Sequence, residues 1–214
     1  MKDFKITELF NFFNNCKKEQ DIVFIGKFEV TERDIEIAKM SAELLKEINV
    51  DRKIGKIDKY DRGAKNDQIN FMCALSQNHF AKILHGKFDA SNKRIKIKSP
   101  AIASYFVQKK EQDFQMKYKD DEINFDLKSQ YFHSSTSSVN INKDSHHRFL
   151  DNNIDFYIVA IFRNNNKNYK DFDDVNSIYY FVIPKNYVHE QSKLIITKAP
   201  FYSMHIKKFI EKIA

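Results

Sequence analysis

The chain contains no tryptophan and only four glycines, three prolines and two cysteines in 214 residues. Cys16 and Cys73 are too few and too widely separated for a disulfide framework or a zinc cluster, so a reducing cytoplasm is expected and both thiols read as core. With four glycines there is no glycine-rich phosphate loop. No stretch approaches the roughly 20 apolar residues of a membrane span, so no membrane partner is expected. The opening MKDFKITELFNFFNN mixes charges into its apolar residues, where a signal peptide would hold a clean hydrophobic run.

Phenylalanine, in contrast, is abundant. Twenty of them, within a chain that is 42% hydrophobic, can bury a substantial core and exclude wholesale disorder. The length suits one domain, or a core with an N-terminal appendage. A formal net charge of +7 and a pI near 9.1 favour a polyanionic partner, although Lys and Asn abundance alone can produce the same balance.

Periodicity predicts a helix over Ile6 to Lys17 and a short strand over Ile22 to Val30. Thr31, with Asp34 three residues on, marks an N-cap for a helix through Ile48, whose apolar side would hold Ile35, Ile37, Ala38, Ala42, Leu44 and Leu45. The charged segment Asp51 to Gly63 reads as a linker or DNA-facing loop. A third helix spans Lys65 to Leu84. Lys93 to Lys98 alternates so regularly that Arg94, Lys96 and Lys98 would share one strand face, a row suited to phosphate contacts or, equally, to a lysine-protected edge strand.

Further on, His133 to Ser138 reads as a polar loop whose Ser137 and Ser138 offer hydroxyls to phosphate, or as a plain flexible loop. Lys143 to Asp151 reads as a short helix, which places His146 and Arg148 at a DNA-facing surface. The adjacent His146 and His147 would point about 100° apart on a helix, a poor arrangement for chelating one ion. Phe156 to Phe162 and Ile178 to Ile183 have the composition of buried strands, the second stopped by Pro184 and followed by a short helix. Lys193 to Lys198 reads as another strand and Met204 to Ile213 as a closing amphipathic helix.

The most informative stretch is residues 113–130. If Ile123 to Phe132 is a strand, Asp126, Lys128 and Gln130 share one face, while Ile123, Phe125 and Leu127 anchor the other. With Lys117 to Glu122 as a turn, Asp113 would come across from Asp126 within a residue or two. Two converging carboxylates, completed by water and phosphate, are the usual shell of Mg²⁺. A lysine two residues beyond the second acid can orient the attacking water or offset phosphate charge.

This Asp-x12-Asp-x-Lys pattern on a hairpin, with Gln130 trailing it, resembles the PD-(D/E)xK nuclease superfamily. Gln112 stands where the family's proline would precede the first acid, a departure common in that superfamily. The resemblance covers Lys65 to Lys185 and extends to element order: helix, three-stranded meander carrying the acids, helix, fourth strand. It implies an α/β restriction-endonuclease-like core, a mixed central β-sheet flanked by helices, over residues 63–214, with residues 1–62 as an N-terminal helical extension. It implies Asp113 and Asp126 as Mg²⁺ ligands, Lys128 and Gln130 as catalytic support, and Asp67 or Gln68 of the first core helix as the residue completing the site; Asp67 would equally suit the first turn of its helix as a dipole complement. The implied activity is Mg²⁺-dependent hydrolysis of phosphodiester bonds in double-stranded DNA by a type II restriction endonuclease, and cutting both strands would favour a homodimer. The alternatives are a resolvase-like repair or recombination nuclease, a DNA-binding protein without cleavage, and an accidental Asp126–Lys128 ion pair exposed on an edge strand.

Overall fold

The computed structural model describes residues 6–53, 65–86, 95–98, 114–131, 138–143, 146–147, 154–164, 175–197 and 200–213. It is mixed α/β. A six-stranded mixed sheet carries helices on one face and a three-stranded antiparallel sheet on the other.

The helical face begins with α1 (Ile6–Cys16), whose Leu9, Phe10, Phe13 and Cys16 recur at helical spacing and are all buried. Strand β1 (Val23–Glu29) then enters the main sheet, and α2 (Glu32–Lys53) follows. The expected cap is formed: Asp34 Oδ2 accepts from the Thr31 backbone N–H at 3.0 Å and the Thr31 hydroxyl at 2.6 Å, while the Asp34 N–H donates to Thr31 Oγ1 at 3.3 Å. Helix α2 continues past the expected stop at Ile48, taking in Asp51 to Lys53; the rest of the expected linker lies outside the described residues. It buries a narrower side than expected. Ala38 is enclosed and Ile35 and Ala42 pack at the margin, but Ile37, Met40 and Leu44 are exposed. Helix α3 (Lys65–Gly86) lies against α2, with Asn78 donating to Ser41 Oγ at 3.1 Å, and sets Phe71, Ala74, Leu75, Phe80 and Leu84 into the core.

The main sheet runs β1-β7-β6-β4-β3-β2. Its strands after β1 are β2 (Ile95–Lys98), β3 (Phe114–Tyr118), β4 (Asp121–Tyr131), β6 (Phe156–Asn164) and β7 (Val175–Pro184). Strands β2, β3 and β4 form an antiparallel meander, β6 lies parallel to β4, and β7 and then β1 complete the sheet antiparallel. The turn between β3 and β4 is shorter than the expected Lys117 to Glu122. Tyr118 pairs with Asp121, leaving Lys119 and Asp120 as a two-residue connection, with Lys119 in the left-handed region at φ 54°.

Strands β6 and β7 are buried on both faces, which is why FYIVAIF and IYYFVI read as unbroken apolar runs. Phe156, Ile158, Ala160 and Phe162 face the helices; Tyr157, Val159 and Ile161 face the small sheet.

The small sheet was not foreseen as a layer, although the strand expected over Lys193 to Lys198 is present in it as Lys193–Ile195. Its order is β5-β9-β8, from β5 (Ser138–Asn142), β8 (Lys193–Ile195) and β9 (Phe201–His205). Ser138, read as loop, opens β5, a strand with Val139 and Ile141 buried between exposed Asn140 and Asn142. The expected helix from Met204 is also corrected. Phe201 to His205 is a strand burying Tyr202 and Met204 at period two, and only Lys207–Ile210 is helical, as α5. Between β7 and β8, α4 (Lys185–Gln191) follows Pro184 as expected.

The N-terminal segment gives a strand to the main sheet and two helices to its core. The expected boundary between residues 62 and 63 falls outside the described residues. No helix among the described residues is long and apolar enough to cross a membrane.

Candidate active site

The face that β4 turns away from the helices is polar, and this follows from alternation alone. Ile123, Phe125 and Leu127 enter the helical core, so Glu122, Asn124, Asp126, Lys128 and Gln130 lie on the side of the small sheet. Asn124 and Asp126 are buried; Lys128 and Gln130 are half-buried. Asp126 is only 4% exposed and forms an ion pair with Lys128. The pair is therefore neither exposed nor on an edge, since β4 lies between β3 and β6. Burying a carboxylate costs several kcal/mol unless a partner compensates it, and a sheet interior has cheaper residues to offer. Asp126 therefore calls for an explanation beyond packing.

Around the pair, register decides the neighbours. Asp126 pairs with Tyr157, Lys128 with Val159 and Gln130 with Ile161 in the parallel β4–β6 ladder. The Lys128 ammonium lies 5.9 Å from the centre of the Tyr157 ring. Burial, and then the negative charge of Asp126, push the Tyr157 hydroxyl above the ordinary tyrosine range, so it stays protonated. Toward the turn, Gln115 donates to Glu122 at 2.9 Å and to Asn124 at 3.1 Å, and Asn124 donates to Glu122 at 2.8 Å. Asp155 accepts from the Asn124 N–H at 2.8 Å and pairs with Lys17 at 3.4 Å, which fixes the start of the parallel ladder.

The described β3–β4 register begins at Phe114 opposite Phe125, the residue before Asp126. Asp113, next to Phe114 in sequence, lies outside the described residues, as do Arg94, Ser137 and Arg148. Lys96 and Lys98 lie on β2, the strand at the sheet edge, in register with Lys117 and Gln115. Asp67 and Gln68 fall in the first turn of α3, which packs against the face opposite Asp126 through buried residues and a 2.6 Å contact between the hydroxyls of Ser76 and Ser129. Among the described residues, no group of three or more His, Cys, Asp and Glu side chains could hold a metal ion. That is no obstacle to Mg²⁺, which takes one or two carboxylates and fills its shell with water and phosphate.

His146 departs from expectation. It is 0% exposed, not DNA-facing. Its Nδ1 lies 2.6 Å from the Tyr157 hydroxyl and its Nε2 lies 3.0 Å from Nε2 of His189 in α4, while the Tyr202 ring of β9 stands 5.1 Å away. The cause is tertiary: the small sheet, unforeseen from the sequence, closes over this segment. Burial, followed by the positive charge that His189 and His147 can carry, pulls the His146 imidazole down to about 4. Sequence reasoning missed Tyr157, His189 and Tyr202 as neighbours of the site. Tyr157 had no signal beyond being the one hydroxyl-bearing residue in an apolar run.

Neither cysteine forms a disulfide, and of the two expected core thiols only Cys16 is fully buried, Cys73 being half-buried. Burial pushes the Cys16 thiol up to about 12, leaving it inert. No protein-family model matches the chain and no curated protein matches it.

Proposed function

We propose that this chain is a Mg²⁺-dependent endonuclease that hydrolyses phosphodiester bonds in double-stranded DNA, with a PD-(D/E)xK site on the β3–β4 hairpin and a type II restriction role. The observation that carries the reading is the buried Asp126, paired with Lys128 on the polar face of a central strand. Element order supports it. Helix α3, the antiparallel β2-β3-β4 meander and β6 parallel to β4 follow one another as the resemblance implies, although β5 occupies part of the crossover where the family places a helix.

Asp126, with Asp113, would hold Mg²⁺. When bound, that ion polarises the scissile phosphate and lowers the pKa of an attacking water. Lys128 would leave its ion pair to orient the water and offset charge that grows on the phosphate. Gln130, two residues further on the same face, would hold the water or a phosphate oxygen. Tyr157 is too weakly acidic to donate a proton, so its part is to shape the floor on which the Lys128 ammonium rests. Lys96 and Lys98, near the sheet edge, would contact the DNA backbone without reading bases.

The test is cleavage of a long duplex by purified protein with Mg²⁺. Discrete fragments are expected; a product only from branched junctions would move the protein to the resolvase class. Asp126→Asn should abolish cutting while duplex binding in Ca²⁺ persists, and Lys128→Ala should slow the chemical step by at least about 10²-fold. Full activity in Asp126→Asn would sink the assignment.

A further inference from the structure

Two buried histidines end their hydrogen-bond chains differently. His79 Nε2 lies 3.0 Å from the Glu29 carbonyl, which only accepts, so the proton is pinned to that nitrogen. His146 meets groups able to donate or accept at both ring nitrogens: the Tyr157 hydroxyl at Nδ1 and the His189 imidazole at Nε2. Each contact must contain one proton. Two arrangements of a neutral His146 satisfy both.

In the first, Tyr157 O–H donates to His146 Nδ1, and His146 Nε2–H donates to His189 Nε2. A neutral His189 then carries its proton on Nδ1. In the second, His189 Nε2–H donates to His146 Nε2, and His146 Nδ1–H donates to the Tyr157 oxygen. Tyr157 keeps its proton but is free to turn it to another acceptor. His189 is exposed, so it exchanges protons with solvent. Once protonated it donates from both nitrogens, and only the second arrangement remains. The balance is one proton gained from solvent and held on His189, with His146 neutral throughout and its own proton moved from Nε2 to Nδ1.

We propose that Tyr157, His146 and His189 form a relay in which protonation of His189 sets the tautomer of buried His146, and thereby which way the Tyr157 hydroxyl beside Asp126 donates. The low His146 pKa supports this, because the imidazole changes tautomer where an ordinary histidine would take a charge. Tyr157, with its raised pKa, keeps its proton in both states. Among the described residues, the rings against His189 are His146 and His147, from the partly helical segment after β5, and Tyr202 of β9 at 5.3 Å; the nearest charge placed on a neighbouring element is Lys208 of α5, which donates to the Gln191 carbonyl at the end of α4. Glu190 and Lys185 are the charges on α4 itself. Tyr157 thus acts as a positioning residue, and His189 is its input.

Ring-nitrogen NMR on the full chain with ¹⁵N-labelled histidine, run from about pH 8 to about pH 5 where ordinary imidazoles titrate, tests the relay without DNA. As His189 titrates, the protonated nitrogen of His146 should change from Nε2 to Nδ1 with the same midpoint. His189→Gln should abolish that response, and His147→Gln should leave it. A His146 that keeps one tautomer through the His189 titration, or that gains a charge in the same range, overturns the proposal. The consequence for catalysis rests on the nuclease reading: His189→Gln should flatten the pH profile of cleavage. Because the NMR result needs no cleavage, failure of one claim is distinguishable from failure of the other.

Discussion

Phe125 and Phe156 are register partners at the start of the parallel β4–β6 ladder, with ring centres 5.2 Å apart, and Phe13 of α1 stacks on both at 5.6 and 5.7 Å. The next register pair is Asp126 with Tyr157, on the opposite face. An N-terminal helix therefore clamps from behind the two strands that carry the candidate site. Phe13→Ala should cost about 3–5 kcal/mol, the range for deleting a fully buried aromatic ring. Urea unfolding measures it. If the loss is below about 1 kcal/mol, α1 is only an appendage.

The cap of α2 links that helix to α3. Burial pushes the Asp34 carboxyl up, but hydrogen bonds from Lys82 at 2.7 and 3.0 Å and from Thr31 outweigh it and hold the carboxyl below the usual aspartate range. Its stabilisation is present above the ordinary value of 3.8 and is lost as pH falls through the lower folded value. Thr31→Ala should cost about 1 kcal/mol. Lys82→Ala should cost less, since that side chain is 57% exposed. Asp34→Asn should reduce the acid sensitivity, as read from melting temperature against pH.

The parts legible in the sequence are those where local signals and tertiary burial agree. Thr31 with Asp34, Pro184 before α4, and the alternation of Ile123 to Gln130 each have a mechanism within a few residues. In the small sheet only β8 was legible as a strand. Val139-Asn-Ile141-Asn is too short for its period to stand out, and its partner β9 is 67 residues away in the pair Ser138 and His205 and 59 in the pair Asn142 and Phe201, so pairing is decided by long-range burial. Missing that layer put His146 on the surface. The same gap hid His189 and Tyr202, whose proximity exists only once β9 and α4 have packed against β6.

A pH dependence follows from His146. Its folded value, about 4, lies below the ordinary 6.5, so between those values the unfolded chain holds a proton that the folded chain lacks. The stabilisation is complete above about pH 6.5 and falls as pH drops toward 4, by up to roughly 1.4 kcal/mol per pH unit. His146→Phe should flatten this slope whatever it does to absolute stability. A wild-type unfolding free energy that does not change between those pH values would mean that His146 opens to water.

DNA binding, if the nuclease reading holds, should depend on salt through Lys96 and Lys98. Each true phosphate contact removed by substitution to alanine should lower the log-log salt slope by about 0.9, with equal weakening on all sequences. An unchanged slope would leave β2 as a solvated edge strand.

The Asp126–Lys128 pair separates a functional from a structural origin by stability alone. Lys128→Met leaves a buried carboxylate without its cation. That should cost up to about 3 kcal/mol, reduced to the extent that water reaches a lysine side chain 25% exposed. The double change Asp126→Asn with Lys128→Met removes both charges and keeps their volumes, so it should recover most of that loss and can exceed the wild type, as neutral replacements of buried ion pairs often do. Sites kept for chemistry carry such a cost, whereas pairs kept for packing do not. Denaturant midpoints at constant slope give the four corners of the cycle. If the neutral pair is less stable than the wild type by more than the Lys128→Met change alone, Asp126 and Lys128 belong to the architecture of β4, and the argument that its burial signals catalysis fails.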